Sequence, residues 1–523
     1  PTLLELFNHR FSGIAARMGE TLVRTAHSVN IKERLDFSCA LFDEKGQLVA
    51  NAPHVPVHLG AMGATVCALL NSRSKSLKPG QVYVSNDPSQ GGSHLPDITV
   101  ITPIFRNGIL RFFVASRGHH ADIGGISPGS MPPFAKTLLE EGIVLSNALL
   151  VNKGEFCQEQ IVKALSRPPY PARNIPERLS DLRSMVAAGE RGVQELTALC
   201  EKYGDDVVIS YMGYMRANAS HAMEAVLAKF LDNKPSWKGN FADYLDGGEK
   251  IAVDIKIFRT KSGVPHADID FTGTAPPHNG NLNAPTAICR AAVLYVFRTL
   301  ISQNIPLNDG CLQPITIKIP PNSLLNPPAN SAVSGGNVET SQRVVDVLYG
   351  ALGMVAASQG TMNNFLFGNI DGSGAQYYET IAGGSGAIEG QNGACGVQVH
   401  MTNTRMTDPE VLEQRFSQIR LERFSLRKGS GGKGKWRGGD GVVRTFYFTA
   451  PLTITLLSQR RKYQPYGCQG GQPGKKGENL FWSSGDKKPK LLGGSLQKNV
   501  KAGDRLEIKT PGGGGFAARD ISD

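Results

Sequence analysis

The densest grouping of side chains able to bind a metal ion or move a proton lies in two short segments of the chain. They are Gly91-Gly92-Ser93-His94-Leu95-Pro96-Asp97 and Arg117-Gly118-His119-His120-Ala121-Asp122. Imidazole nitrogens and a carboxylate with open coordination positions suit a divalent ion (Mn, Mg or Zn) that polarises a carbonyl or lowers the pKa of bound water. That chemistry is what amide cleavage needs. Pro96 disfavours helix at Leu95, so His94 and Asp97 are expected in a loop entering a strand. In polyproline geometry, with three residues per turn, they return to the same side about 9 Å apart.

Between the segments stands Asn107-Gly108, flanked by Phe105 and Ile109, a strong short-range signal for a two-residue β-hairpin. If Arg106 pairs with Ile109, Asp97 faces Gly118, Pro96 faces His119 and Leu95 faces His120. The turn alone therefore brings His119-His120 back beside His94-x-x-Asp97. Ideal alternation puts His120 on the face of Asp97, whereas a one-residue bulge near Gly118 puts His119 there. Both registers remain open, and the candidate catalytic set is His94, Asp97, His119, His120 and Asp122.

Other polar groupings are weaker. His54 and His58 sit four apart, but Pro56 between them argues against a helical ligand pair, so both read as core or supporting residues. Gly335 to Arg343 opens a helix with free backbone N–H groups and a bidentate Arg nearby, suited to a carboxylate or phosphate. His400 with Asn403 and Arg405 is a further cluster. Gly429 to Lys435 starts like a phosphate-binding loop, but Trp436 stands where Ser or Thr should hold Mg²⁺. Gly125 to Gly129 matches a nucleophile elbow, yet Pro128 has no N–H for an oxyanion hole.

The elements that must position these residues read as mixed α+β. Apolar residues at helical spacing (Leu4, Phe7, Phe11, Ile14, Met18, Leu22) predict an opening helix. A hairpin over 37–50, a helix after His58, and strands at 82–85, 98–105 and 110–116 follow. These form an N-terminal lobe over 1–174 that carries the metal site. A nearly continuous helical pattern, broken at Gly204, predicts a helical arm over 175–235. A mixed α/β region over 236–362 and a Gly-rich, β-dominated region over 363–523 complete a multi-lobed fold.

Composition bounds the rest. Of 523 residues 40% are hydrophobic and 19% charged, an ordinary globular balance. The net charge is +11, but no aromatic interleaving of a nucleic-acid module accompanies it. No apolar run reaches the roughly 18 residues of a membrane span. Eight scattered cysteines without a Cys-x-x-Cys pair are expected as reduced thiols in a cytoplasmic protein.

The two ligand-bearing segments, extended as Asn86-Asp87-Pro88, Gly91 to Val100 and Arg117 to Gly125, resemble the hydantoinase B family. Lys32 to Ala40, Asn51 to Gly60 and Thr510 to Gly515 look most like its oxoprolinase branch, specifically the C-terminal half of ATP-dependent 5-oxoprolinases. The likeness runs from near residue 3 to near residue 516. It implies a division of labour in which a hydantoinase A-type ATP-binding subunit, or a fused N-terminal half, phosphorylates a cyclic amide. This chain would then hydrolyse the activated ring, 5-oxoproline or a hydantoin, with metal-activated water. In related acetone-type carboxylases a His-x-x-Asp pair and a later histidine hold a metal, which carries over onto His94, Asp97 and His119. On that reading Arg34, Asn337 and Arg343 are candidates for holding the ring or its carboxylate, ATP is expected on the partner half rather than here, and an oligomer is expected. A start at Pro1 fits excision from a longer chain. The rival readings are a carboxylase-type subunit that captures the activated species with a carbon nucleophile, and a non-catalytic scaffold for the ATP-binding partner.

Overall fold

Asn107 and Gly108 both adopt positive φ, 50° and 79°, as a two-residue hairpin turn demands, and the strands they join set the register around the ligand-bearing segments. Strand β4 (Asp97–Arg106) pairs antiparallel with β5 (Ile109–His119), beginning at Arg106 opposite Ile109 and Phe105 opposite Leu110. Arg111 then bulges out, so that Ile104 faces Phe112 and, at the far end, Asp97 faces His119. The bulge is seven residues before Gly118, the position anticipated from sequence, with the same consequence. This hairpin is central to a seven-stranded antiparallel sheet, order β2-β1-β5-β4-β3-β6-β7. The remaining strands are β1 (Phe37–Asp43), β2 (Leu48–Asn51), β3 (Val82–Ser85), β6 (Ala148–Asn152) and β7 (Glu155–Phe156).

Both faces of that sheet are covered, and strict alternation distributes its side chains. Cys39, Leu41, Phe112 and Val114 join the opening helix Thr2–Thr25 and the helix Ile175–Tyr203 in one core. Ala40, Phe42, Phe113 and Ala115 meet the helix Pro56–Arg73 in another. Near-continuous apolar runs in the strands follow from this two-sided burial.

The structure, a computed structural model, describes residues 2–518 apart from 53, 75 and 375. The helical pattern over 175–235 resolves into Ile175–Tyr203 and Asp205–Leu231, separated at Gly204 with φ 87°. The second helix gives Val208, Met212 and Met215 to the N-terminal core. It gives Ala219, Met223 and Leu227 to the core beneath the four-stranded sheet formed by residues 236–318. Helices Thr286–Thr299 and Ser341–Leu352 fill the rest of that second core.

Beyond residue 363 the chain is β-dominated, with four- and five-stranded sheets enclosing a core that includes Phe365, Phe446, Ile454 and Leu506. Beside them, glycine-rich segments pack backbone against backbone. Gly439 N donates to Ser385 O, Gly513 N to Gly439 O and Gly432 N to Gly513 O. A Cβ on Gly513 would stand 1.9 Å from Ser385 O, so only glycine permits this approach. The Gly429–Lys435 stretch belongs to this weave.

Candidate metal centre

The end of the β4–β5 hairpin builds the site. His94 and Asp97 are joined by a tight turn in which Asp97 N donates to His94 O at 3.1 Å. This replaces the extended polyproline geometry expected from Pro96 and draws the two side chains closer. Asn86 staples the turn, its amide donating to Leu95 O and Ile143 O at 2.8 and 2.9 Å. His94 Nε2 lies 3.0 Å from Asp97 Oδ1, His119 Nδ1 lies 3.1 Å from the same oxygen, and the two ring nitrogens are 3.2 Å apart. All three residues are buried.

Those donors fit a divalent ion. Three ligand atoms at about 2.1 Å from one ion are about 3.0 Å apart when mutually cis in an octahedron and about 3.4 Å apart in a tetrahedron. A single bridging proton could satisfy only one of the three close pairs, and a cation on the shared side relieves all of them. Burial would raise the Asp97 carboxyl, but the His94 and His58 imidazoles and hydrogen bonds from His119 and His58 hold it well below the usual carboxylate range. Burial lowers the His119 imidazole, partly offset by Asp97. A carboxylate beside a neutral imidazole is the protonation pattern a metal ligand set requires.

Residues from distant parts of the chain close the small cavity over these ligands. Asp97 Oδ2 accepts from Ser93 Oγ at 2.6 Å and from Asn337 Nδ2 at 3.4 Å. Asn337 arrives on a π-helical turn, Gly336–Thr340, an irregularity frequent at functional sites. The segment leading into it is tied down by Glu141, a buried carboxylate accepting from Val333 N and Ser334 N. Tyr378 stacks on His119 with centroids 4.3 Å apart and planes at 17°. His58 Nε2 stands 3.3 Å from Asp97 Oδ2 and 3.9 Å from Asp36 Oδ1, while its Nδ1 meets Ser38 Oγ at 3.3 Å.

The sequence reading left His58 as a core or supporting residue, on account of Pro56, and did not single out Asp36 as a site residue. The helix begins at Pro56, where a proline is tolerated because the first turn's N–H has no partner, so His58 is inside the helix and His54 outside it. His54 is a core residue: its Nδ1 accepts from Cys39 N at 2.9 Å, and burial lowers its pKa to about 4.

The other expected residues are placed elsewhere. The His120 ring leaves the ligand group, with neither nitrogen partnered among the described residues, and burial lowers its pKa to about 3. Asp122 organises the following loop, accepting from Gly124 N, Gly129 N and Arg173. Arg34 is spent on the chain around it, donating to Tyr378 O, Thr380 Oγ1, Thr404 Oγ1 and Arg405 O. Arg343 is buried in a separate charge network, bonded to Tyr244 O and 3.6 Å from Asp243. Among the three residues expected to hold the ring, Asn337 is the one that lines the metal cavity.

Comparison with known proteins shows what the chain as a whole is similar to. The chain is 51% identical to 5-oxoprolinase 1 of Arabidopsis thaliana over 98% of its own length and 42% of the relative's. It is 48% identical to 5-oxoprolinase of Saccharomyces cerevisiae, over 99% of this chain and again 42% of the relative. It thus spans about two fifths of the curated relatives it matches at these identities. The crystal structure of an ATP-dependent caprolactamase from Pseudomonas jessenii shares the fold, with a TM-score of 0.87 at 21% identity, covering 100% of this chain and 92% of that one. The family model for hydantoinase B/oxoprolinase matches residues 1–519, and the chain belongs to that family.

Proposed function

We propose that this chain is the ring-opening part of an ATP-dependent cyclic amide hydrolase, acting on 5-oxoproline or a hydantoin after an ATP-binding partner half has phosphorylated it. The observation that carries this reading is the convergence of His94, Asp97 and His119 on one point. Identity to relatives named 5-oxoprolinase supports the substrate class, and the share of their length left uncovered leaves room for the partner half.

The three residues would hold the divalent ion, which when bound supplies electrophilic assistance to a carbonyl and acidifies water. The remaining residues have work of their own. His58, which meets Ser38 Oγ at Nδ1, holds the Asp97 carboxylate from Nε2 and so fixes how that ligand is presented. Asp36 stands 3.9 Å from the same nitrogen and adds a second carboxylate on that side of the imidazole. Asn337 and Tyr378 restrict how Asp97 and His119 can turn. Phosphorylation removes the amide resonance that makes a lactam resist water, so the chain needs only to bind the ring and orient it.

Substituting His94→Ala or Asp97→Ala in the full-length enzyme should abolish release of the opened amino acid while ADP formation continues. Full ring opening in either variant overturns the reading. His58→Gln should lower metal affinity or ring opening by about 10–100-fold, as expected for loss of a partner that orients a ligand carboxylate.

A further inference from the structure

A cleft of ≈ 1070 Å³ is not used by the proposed reaction. It adjoins the metal cavity: Thr402 lines both, and Pro56 lines the cleft while its neighbours Val55 and Val57 line the metal side. Tyr295, Tyr349, Met354, Trp436 and Phe516 give it an aromatic and apolar wall. The charged side chains of the lining, Lys435 and Glu389, are of opposite sign, so the cleft has no net preference for an ion.

One polar group in that wall is built rather than incidental. His400 is only 7% exposed and sits at φ 58°, in the left-handed region that few side chains other than Asn, Asp and His adopt. Its Nε2 is 2.9 Å from Asp346 Oδ1. Asp346 is itself fixed, accepting from Ser358 N at 3.2 Å and from Arg460 Nη2 at 2.8 Å. A carboxylate held as an anion can only accept, so the imidazole proton resides on Nε2. Nδ1 is left as an acceptor, and it has no partner among the described residues. Tyr349 and Tyr295 flank the ring with centroids at 5.7 and 6.2 Å.

We propose that this cleft binds a neutral, planar heterocycle through an N–H donated to His400 Nδ1, with the ring packed against the aromatic wall. An unpartnered acceptor beside tyrosine and tryptophan faces selects for a flat N–H donor. Hydantoins and unsubstituted lactams have that form, whereas 5-oxoproline carries a carboxylate, so the site would hold a neutral unreacted ring of the hydantoin kind one partition away from the metal cavity. The identity of that ring with the enzyme's own substrate rests on the function proposed above; the binding chemistry does not.

The test uses the full-length protein after metal removal by a chelator, with 2-pyrrolidinone and N-methyl-2-pyrrolidinone as probes followed by calorimetry and tryptophan fluorescence. Pyrrolidinone should change a fluorescence signal that disappears in Trp436→Phe, and the N-methyl analogue should bind about tenfold more weakly, as loss of one hydrogen bond predicts. His400→Asn, which tolerates the positive φ, should erase the difference between the probes, and Asp97→Ala should preserve it. Met354→Trp should weaken both probes at least tenfold by filling the cleft, whether or not the His400 variant folds. Absence of binding to the parent protein overturns the proposal. So do equal affinities for the two probes, discrimination that survives in His400→Asn, loss of binding in Asp97→Ala, or unchanged binding in Met354→Trp. Release of opened ring by Asp97→Ala under turnover conditions would instead count against the metal-site reading alone.

Discussion

Glu339 is the far end of a chain of contacts that reaches the metal ligands. Its Oε1 accepts from Asn364 Nδ2 at 2.8 Å, Asn364 Oδ1 accepts from the Tyr378 hydroxyl at 2.9 Å, and Tyr378 stacks on His119. Burial pushes the Glu339 carboxyl up to about 8, against the lowering effect of its hydrogen bonds. Raised above its unfolded value of about 4.5, this group keeps its proton in the folded state where the unfolded chain has lost it. Its contribution is therefore fully present below pH 4.5 and is lost as pH rises toward 8. Glu339→Gln, which keeps the shape of the protonated acid, should flatten the fall in urea midpoint over that window; parallel profiles for the two proteins would refute the assignment. Residues of this kind were invisible in the sequence, because nothing in the spacing of Glu339, Asn364 and Tyr378 links them. The approach of His94 and Asp97 to the His119-His120 pair was legible because a two-residue turn and a short hairpin bring the two segments together, while the spacing alone left both histidines open. His58 was read no further than as a core or supporting residue because a proline that interrupts a helix and one that opens it look alike until the helix start is known.

Elements add what single residues cannot. The hairpin was readable from Asn107-Gly108, but the choice between His119 and His120 depended on one bulged residue, Arg111. Its position answers to packing of Phe112 and Phe113 into opposite cores, and that information lies outside the strand. The glycine-rich C-terminal segments were recognisable as unusual, whereas their mutual weave depends on partners up to about 130 residues apart in sequence, such as Ser385 and Gly513. At this scale the stability test is a contrast between glycines. Gly439→Ala would bring a Cβ to 1.9 Å from Ala394 O, and should cost about 3 kcal/mol or more because backbone on both sides must shift. Gly213, inside the helix Asp205–Leu231, meets nothing within 4 Å, so Gly213→Ala should stabilise by roughly 0.5–1 kcal/mol through helix propensity. Urea midpoints of the two variants check both signs at once. Equal small effects would mean the weave is looser than its backbone hydrogen bonds indicate.

At the level of the whole molecule, the metal centre lies where separately packed regions meet. His94, Asp97 and His119 come from the N-terminal sheet, Asn337 from the turn before a helix of the second core, and Tyr378 from a strand of the C-terminal sheets. The helix Asp205–Leu231 ties the first two cores together by packing into both. An ion that binds the assembled site and not the unfolded chain stabilises the fold by mass action, about 2.7 kcal/mol at a hundredfold excess over its dissociation constant. For a chain of 523 residues, with an unfolding entropy of about 2 cal/mol/K per residue, that corresponds to a rise in Tm of roughly 2–3 °C. Removing metal with a chelator should lower Tm by that amount, and restoring it should recover the loss with a dependence on ion concentration. Asp97→Ala should show no metal-dependent shift. Asn337→Ala, which leaves the three ligands intact but withdraws the contact from the second core, should retain the shift at reduced size, since part of the coupling between regions passes through that amide. A metal-dependent shift as large in Asp97→Ala as in the parent would place the stabilising ion elsewhere in the molecule.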